Sequence, residues 1–521
     1  MNERPGPLIA VILGGTLLGV IAFFGLGFGT DDDPPTASPT TTVAPSSSAP
    51  TETVAGQSTT TTALPSTTTT VPERPPNEVP AWTVGRPWGS VSGVTMFRGN
   101  PTRTFHGSGP VPDSPTVAWT YPGSAMCGSS SVGGETTTWC GMGWTGQPSL
   151  YEREDGITEI VFGAYDKAVH FVNAADGTEL RPPFPTGDII KGSVTLDPDG
   201  YPLLYFGSRD NKLRILALDR ETPVELWSLD ANEVAGIWNN DWDGNPVIVD
   251  DIMYEGGENG WFFAYELNRA YDANGSVTVE PRQLLAMPGY SDELISRSGR
   301  NVSIESSVAV FGQRVYFTNS GGRVVGIDVS DIRNGNAPIV FDYWAGGDID
   351  ATPVIDAEGH LYVSSEYEPS LGRPANLERS REVGQLLKLD PDADGDPRVW
   401  GIDLTQAAAD TGIWATPALH DGHLYVPTHH GELLAVDVET GEIVWTDEVG
   451  WHTWTSPLIV DGTLIQATCL GEIRAYSLDE PANPSLLWTT SWAESCLEAT
   501  PVAWGGSIYI GSRDGFFRAL R

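Results

Sequence analysis

Residues 415–449, ATPALHDGHLYVPTHHGELLAVDVETGEIVWTDEV, alternate short apolar runs with polar turns. An apolar run at 415–419 ends at Asp421-Gly422. A β-rich run at 424–427 ends at His430-Gly431. An alternating run at 433–437 ends at Glu439-Thr440-Gly441, and a last run at 443–446 carries Trp445. Gly and Asp supply the conformations these turns need, and the runs have strand length. Four strands in 35 residues form a unit of propeller-blade size. Such a sheet cannot bury both faces alone, so it needs similar neighbours.

The rest of the chain supplies them. Inner strands are expected at 147–150, 192–195, 245–248 and 305–308. Four more are expected to start at Ala351-Thr352-Pro353, Ala415-Thr416-Pro417, Thr455-Ser456-Pro457 and Ala499-Thr500-Pro501. A second apolar run follows each of the eight. Pro417 and Pro457 are 40 residues apart, and Pro457 and Pro501 are 44 apart. The chain stops at Arg521 with three strands of the eighth repeat in place and no tryptophan strand. The orphan run Val117–Tyr121 is expected to complete that repeat and close the ring without an open edge. The expected fold is therefore all-β, an eight-bladed β-propeller of four-stranded blades over residues 81–521.

A second signature lies in the outer strands. Ala435-x-Asp437 is followed by Gly441 and Trp445, and Ala217-x-Asp219 is followed by Trp227 at the same spacing. With the x-Thr-Pro inner strand, this pattern resembles the pyrroloquinoline quinone repeat over roughly residues 95–521. The resemblance implies an eight-bladed propeller. It implies less about function, because quinoprotein alcohol dehydrogenases share the repeat with non-catalytic relatives, among them an envelope lipoprotein that assists outer-membrane protein assembly.

Before the propeller, residues 8–29 contain no charged side chain, a run long enough to span a bilayer. Arg4 precedes the run and Asp31 follows it, an order that sends the rest of the chain outward. Residues 1–30 are read as an uncleaved anchor, with a cleaved signal peptide as the rival. Residues 31–80, dominated by Thr, Ser and Pro, are read as a disordered stalk. The expected location is the cell membrane, with the propeller outside and the N-terminal helix as its membrane contact. A net charge of −39 repels nucleic acid. Four cysteines suit two disulfides in an exported chain, with Cys127 pairing Cys140 and Cys469 pairing Cys496.

In this fold, the loop entering each inner strand and the turn between the second and third strands open on one face. That rule gathers a mouth of candidate ligand-binding residues. Asn240, Asp241, Trp242, Glu258 and Asn259 come from the third repeat. Glu305 and Asn319 come from the fourth, and Asp348, Asp350 and Glu366 from the fifth. Arg209, Trp414, His429, Trp454 and Arg513 complete the set. Such a mouth suits an envelope protein, a peptide or a glycan. The plainer reading is that these are wet turn residues. An insertion carrying Arg373, Arg379 and Arg381 is expected to fold over the acidic side, with Trp242 and Trp414 as walls. The vicinal cysteine pair and the C-x-x-C-H haem motif of the quinoprotein enzymes are absent. No catalytic residue, metal site or cofactor is therefore assigned. Pyrroloquinoline quinone is disfavoured, calcium stays open without assignable ligands, and a quinone-dependent or other oxidoreductase, or a polysaccharide-binding or -cleaving propeller, is the alternative to a binding scaffold.

Overall fold

The computed structural model describes residues 74–521 apart from 133, 134, 144, 145, 406–408, 451 and 494. The apolar run at 8–29 and the stalk up to residue 73 lie outside the described residues. Among the described residues, no helix is long and apolar enough to cross a membrane. Among the described residues, eight four-stranded antiparallel cores make the blades, with their strands in chain order in the first seven. Blade one begins at Ser149–Glu152, and blade six consists of Ala418–His420, His423–Pro427, Glu432–Asp437 and Ile443–Glu448. The ring closes as the sequence indicates. Val117–Tyr121 pairs with Phe517–Leu520, with Tyr121 opposite Phe517, so the start of the propeller supplies the outer strand of blade eight.

Eight apolar clusters hold the ring together, one between each pair of adjacent blades. The repeat signature explains part of this packing. The Trp400 indole of blade five donates to Val438 O of blade six at 3.0 Å. Its ring also lies where a Cβ on Gly441 would be, 2.8 Å from Trp400 Cδ2. Gly441 has φ +72°, a conformation that favours glycine. Trp119 of blade eight repeats the contact on blade one, donating to Ala174 O at 3.1 Å over Gly177.

The x-Thr-Pro motif lies just ahead of the inner strand rather than within it. Thr352-Pro353 precedes Val354–Ile355, and Thr416-Pro417 precedes Ala418–His420. The hydroxyl at this position ties blades together. Thr352 Oγ1 accepts from Ser307 N, Thr416 Oγ1 from Thr352 N, and Ser456 Oγ from Thr416 N, each at 3.0 Å. The proline that follows has no N–H to leave unpaired.

The segment before Val117 is the feature that the repeat pattern does not announce. Gly93–Val94 adds a strand to blade one, and Gly107–Ser108 runs parallel to the inner strand of blade eight. Between them, Thr95 O accepts from Leu196 N of blade two at 2.7 Å, and Pro101 O from Val310 N of blade four at 2.8 Å. Thr102 O accepts from Ile355 N of blade five at 3.1 Å. Residues 93–108 thus line the inside of the ring and plug its axis. The buried Arg98 guanidinium donates to Pro417 O and Pro457 O, joining blades six and seven. Residues 74–80, counted with the stalk on composition, are also docked. Arg74 pairs with Asp250, in the hairpin between the first two strands of blade three, on the face away from the mouth.

Candidate functional site

The mouth is held by a bond repeated in blades one to six and in blade eight: the turn after the second strand donates to the loop entering the same blade. Arg209 N bonds Ile189 O at 3.0 Å, Glu258 N bonds Asp241 O at 3.0 Å, Glu366 N bonds Asp348 O at 2.8 Å and Arg513 N bonds Cys496 O at 3.1 Å. Below these loops lies a recess of about 280 Å³, its open side included. Asp243, Glu305, Asp350 and Trp414 form its walls with a set of hydroxyls, and Phe97 of the axial plug lines it too.

On one side the carboxylates have an internal partner. The Lys191 ammonium sits 3.2 Å from Asp241 and 3.0 Å from Glu258, and contacts Asp243 as well. Arg209 approaches Asp241 at 3.4 Å. Burial opposes the charge on Glu258, yet Lys191 and Arg209 outweigh it and hold that carboxyl below its ordinary value. The same three acids raise Lys191 well above the usual range, against its own burial. Lys191 carries no motif, and the sequence reading passed over it and Asp243. The usable signal was position: both lie in loops that open on the mouth face.

The neighbouring side is less balanced. Burial pushes Glu305 up to about 8, with Glu258 adding to the effect, although Ser303 Oγ donates to it at 2.7 Å. Glu368 is also pushed to about 8, by burial and then Asp348. Burial carries Asp350 and Glu366 well above the carboxylate range. Of the insertion arginines, only Arg373 reaches this side, 3.5 Å from Asp348. The helix Pro374–Val383 takes the other two elsewhere. Arg379 donates to Trp344 O and pairs with Glu382, both at 3.0 Å, and Arg381 lies over the Tyr367 ring. The expected arginine cover is thus one residue wide.

Other mouth residues part by role. Trp242 is not a wall: its ring packs on Phe263 in the core, and its N–H donates to Asn211 O at 3.0 Å. Asn259 and Asn319 are buried turn locks, accepting from Trp261 N at 3.0 Å and Gly321 N at 3.0 Å. Asn240 bonds Asn232 on the rim. Arg513 pairs with Glu498 at 2.8 Å and sits over Trp139 and Tyr165. Trp414 stacks near His429 with centroids 4.0 Å apart, and His429 Nδ1 accepts from Trp454 Nε1 at 3.0 Å. Both disulfides form as paired in the sequence, Cys127 with Cys140 and Cys469 with Cys496. Among the described residues, three groups of acidic, histidine or cysteine side chains are close enough to ligate a metal. One is Asp241, Asp243 and Glu258, around Lys191. Another, with His452, uses both sulfurs of the second disulfide.

The family model of outer membrane protein assembly factor BamB matches residues 383–521. The chain is 27% identical over 125 residues to BamB of Escherichia coli, covering 23% of this chain and 30% of that protein. It is 22% identical over 313 residues to BamB of Moranella endobia, covering 58% of this chain and 69% of that protein. Quinohemoprotein alcohol dehydrogenase from Comamonas testosteroni shares the fold at a TM-score of 0.54 and 13% identity, with 82% of this chain and 80% of that chain covered. Sqt1 of Saccharomyces cerevisiae shares it at a TM-score of 0.52 and 10% identity, over 78% and 98% of the two chains.

Proposed function

Because the chain is a β-propeller of the pyrroloquinoline-quinone-like repeat family, we propose that it is a binding and scaffolding module of the cell envelope, anchored through residues 8–29, whose acidic mouth holds a partner protein. The observation that carries this reading is the mouth itself. It is a rigid bowl with its axis plugged, and one wall carries more buried carboxylate than its own cations neutralise. Charge of one sign in a concave, partly desolvated site selects a partner of the other sign. The repeats shared with BamB, named as an assembly factor, support a partner that is another envelope protein. No cofactor enters this reading.

A photo-crosslinking residue placed at Asn240 or Glu368, on the mouth, tests it in intact envelopes. A discrete protein adduct is expected from these positions. Adducts that form only from the outer blade edges, such as from exposed Leu486, would remove the mouth from the proposal.

A further inference from the structure

The two sides of the acidic arc differ in how their charge is met. Asp241, Asp243 and Glu258 surround Lys191, with Arg209 behind. Among the described residues, Glu305, Asp348, Asp350, Glu366 and Glu368 share one direct ion pair, Arg373 with Asp348, while Lys191 acts on Glu305 and Arg373 on Glu368 from farther off. Several of their oxygens are covered and accept no hydrogen bond: Asp348 Oδ1, Asp350 Oδ1 and Glu366 Oε1. Glu366 is 3% exposed and lines a second recess beside Asp348 and Arg373. Asp243 is 7% exposed, lines the main recess, and among the described residues pairs with Lys191 as its one cation. Buried carboxylates without partners are costly in water-poor surroundings, and a cation removes that cost.

We propose that the seam where the two sides of the mouth meet is a socket for an external primary ammonium, the end of a lysine side chain or of an alkylamine, received between Asp243, Glu305 and Asp350 with its alkyl stem along Trp414. The inference rests on the reading of the mouth as the binding site and names the group it takes.

Size, precedent and spacing point to an ammonium. The recess of about 280 Å³ counts its open side, and between its walls it has room for a group of about water size. An ammonium head is compact and carries three donors, whereas a guanidinium is a broad planar fork. The fold already seats one ammonium, Lys191, among the adjoining carboxylates. A small metal ion needs its ligands gathered tightly around it. Among the described mouth carboxylates, the trio that meets this is the one already around Lys191. Trp414 offers an aromatic face to the cation and its stem.

Capture at this site is linked to protons. Glu305 faces Glu258, Lys191, Asp348, Asp243, Asp350, Glu366 and Glu368, a mostly acidic company. With the socket empty, the raised acids hold protons near neutral pH. An arriving ammonium favours their ionised forms and releases those protons. Affinity therefore rises with pH.

Calorimetry on the purified full chain tests this with n-butylammonium, a lysine-bearing peptide, the same peptide with norleucine for lysine, and calcium chloride. n-Butylammonium is expected to bind, with a heat that depends on the buffer's ionisation enthalpy, and to tighten by roughly tenfold from about pH 6 to 8.5. Glu305→Gln and Asp350→Asn, near-isosteric changes, should each weaken it by about tenfold or more. Trp414→Leu, which removes no charge, should weaken n-butylammonium while leaving its pH dependence. A lysine peptide that outbinds both n-butylammonium and the norleucine peptide identifies a protein side chain as the source. Equal lysine and norleucine peptides beside bound n-butylammonium identify a free amine. The proposal is overturned if n-butylammonium gives no heat, if it binds the carboxylate variants as it binds wild type, or if calcium alone shows the carboxylate dependence. Mouth crosslinks that persist in the Glu305→Gln variant, with no ammonium heat in wild type, would end this inference and leave the partner reading standing. Ammonium binding without any mouth crosslink would do the reverse.

Discussion

Trp400 and Gly441 lie in different blades and are best understood together. The indole covers the glycine α-carbon and donates to Val438 O, so it serves as both packing and hydrogen bond. The sequence shows both residue types and their spacing, and it places the tryptophan between blades. What it does not show is that the glycine which receives the ring belongs to the next repeat. Gly441→Ala would put a methyl against the ring on a backbone with φ +72°, and should cost about 1–3 kcal/mol. Trp400→Ala should cost about 3–5 kcal/mol. If the clash is real, the alanine at 441 costs less in the Trp400→Ala background, as a double-mutant cycle in denaturant would show. Equal costs in the two backgrounds would leave backbone strain as the whole effect.

At the scale of elements, the blades and their closure were legible, because strand alternation and turn residues are local signals that repeat eight times. The closing strand was legible as a deficit: blade eight lacked a tryptophan strand and Val117–Tyr121 lacked a blade. The axial plug was not, for a physical reason. Residues 93–108 bind through backbone carbonyls, short edge pairings and scattered side chains such as Arg98 and Arg103, none of which sets a period. Arg98 and Arg103 are both fully buried, and burial pushes each guanidinium down to about 9. The mouth was read correctly as a set of loops and poorly as a set of roles. Asn259 and Asn319 lock turns, Trp242 fills core, and Lys191 does what the insertion arginines were expected to do. Deleting residues 74–122 should therefore do more than open blade eight. It removes the outer strand of that blade and the acceptors for blades two, four and five at once. The truncated chain should unfold at much lower denaturant and lose its protection from proteolysis. A truncated protein that melts like the intact one would show that neither the plug nor the closure supports the ring.

The whole molecule carries a net charge of −39, and its stability should bear the mark of where that charge is buried. A surface carboxylate changes its protonation little on folding. Glu305 and Glu368 differ, because burial first, then neighbouring acids, moves each from the ordinary 4.5 to about 8. Between those values the folded chain holds protons that the unfolded chain has already lost. Stability from these groups is therefore complete below about pH 4.5 and declines as pH rises through 8. Asp350 and Glu366, raised further still, extend the decline upward. The opposite trend comes from carboxylates held low by partners, such as Asp210 beside Arg214. Burial there opposes the shift but loses to that guanidinium, and the stability is lost on acidification. A melting curve of the wild type against pH sums both trends and cannot separate them. The difference between wild type and Glu305→Gln can. The amide keeps the shape and carries no charge, so it removes one raised acid from the sum. The variant should match wild type near pH 4.5, gain stability relative to it as pH rises from there to about 8, and keep that lead above. Adding n-butylammonium at high pH should narrow the gap, because an occupied socket stabilises the ionised wild type and has less to hold in the variant. Two melting curves that stay parallel from pH 4.5 to 9 would mean that Glu305 titrates as an ordinary surface acid. The acidic wall would then be solvated, with no cost for a partner to relieve.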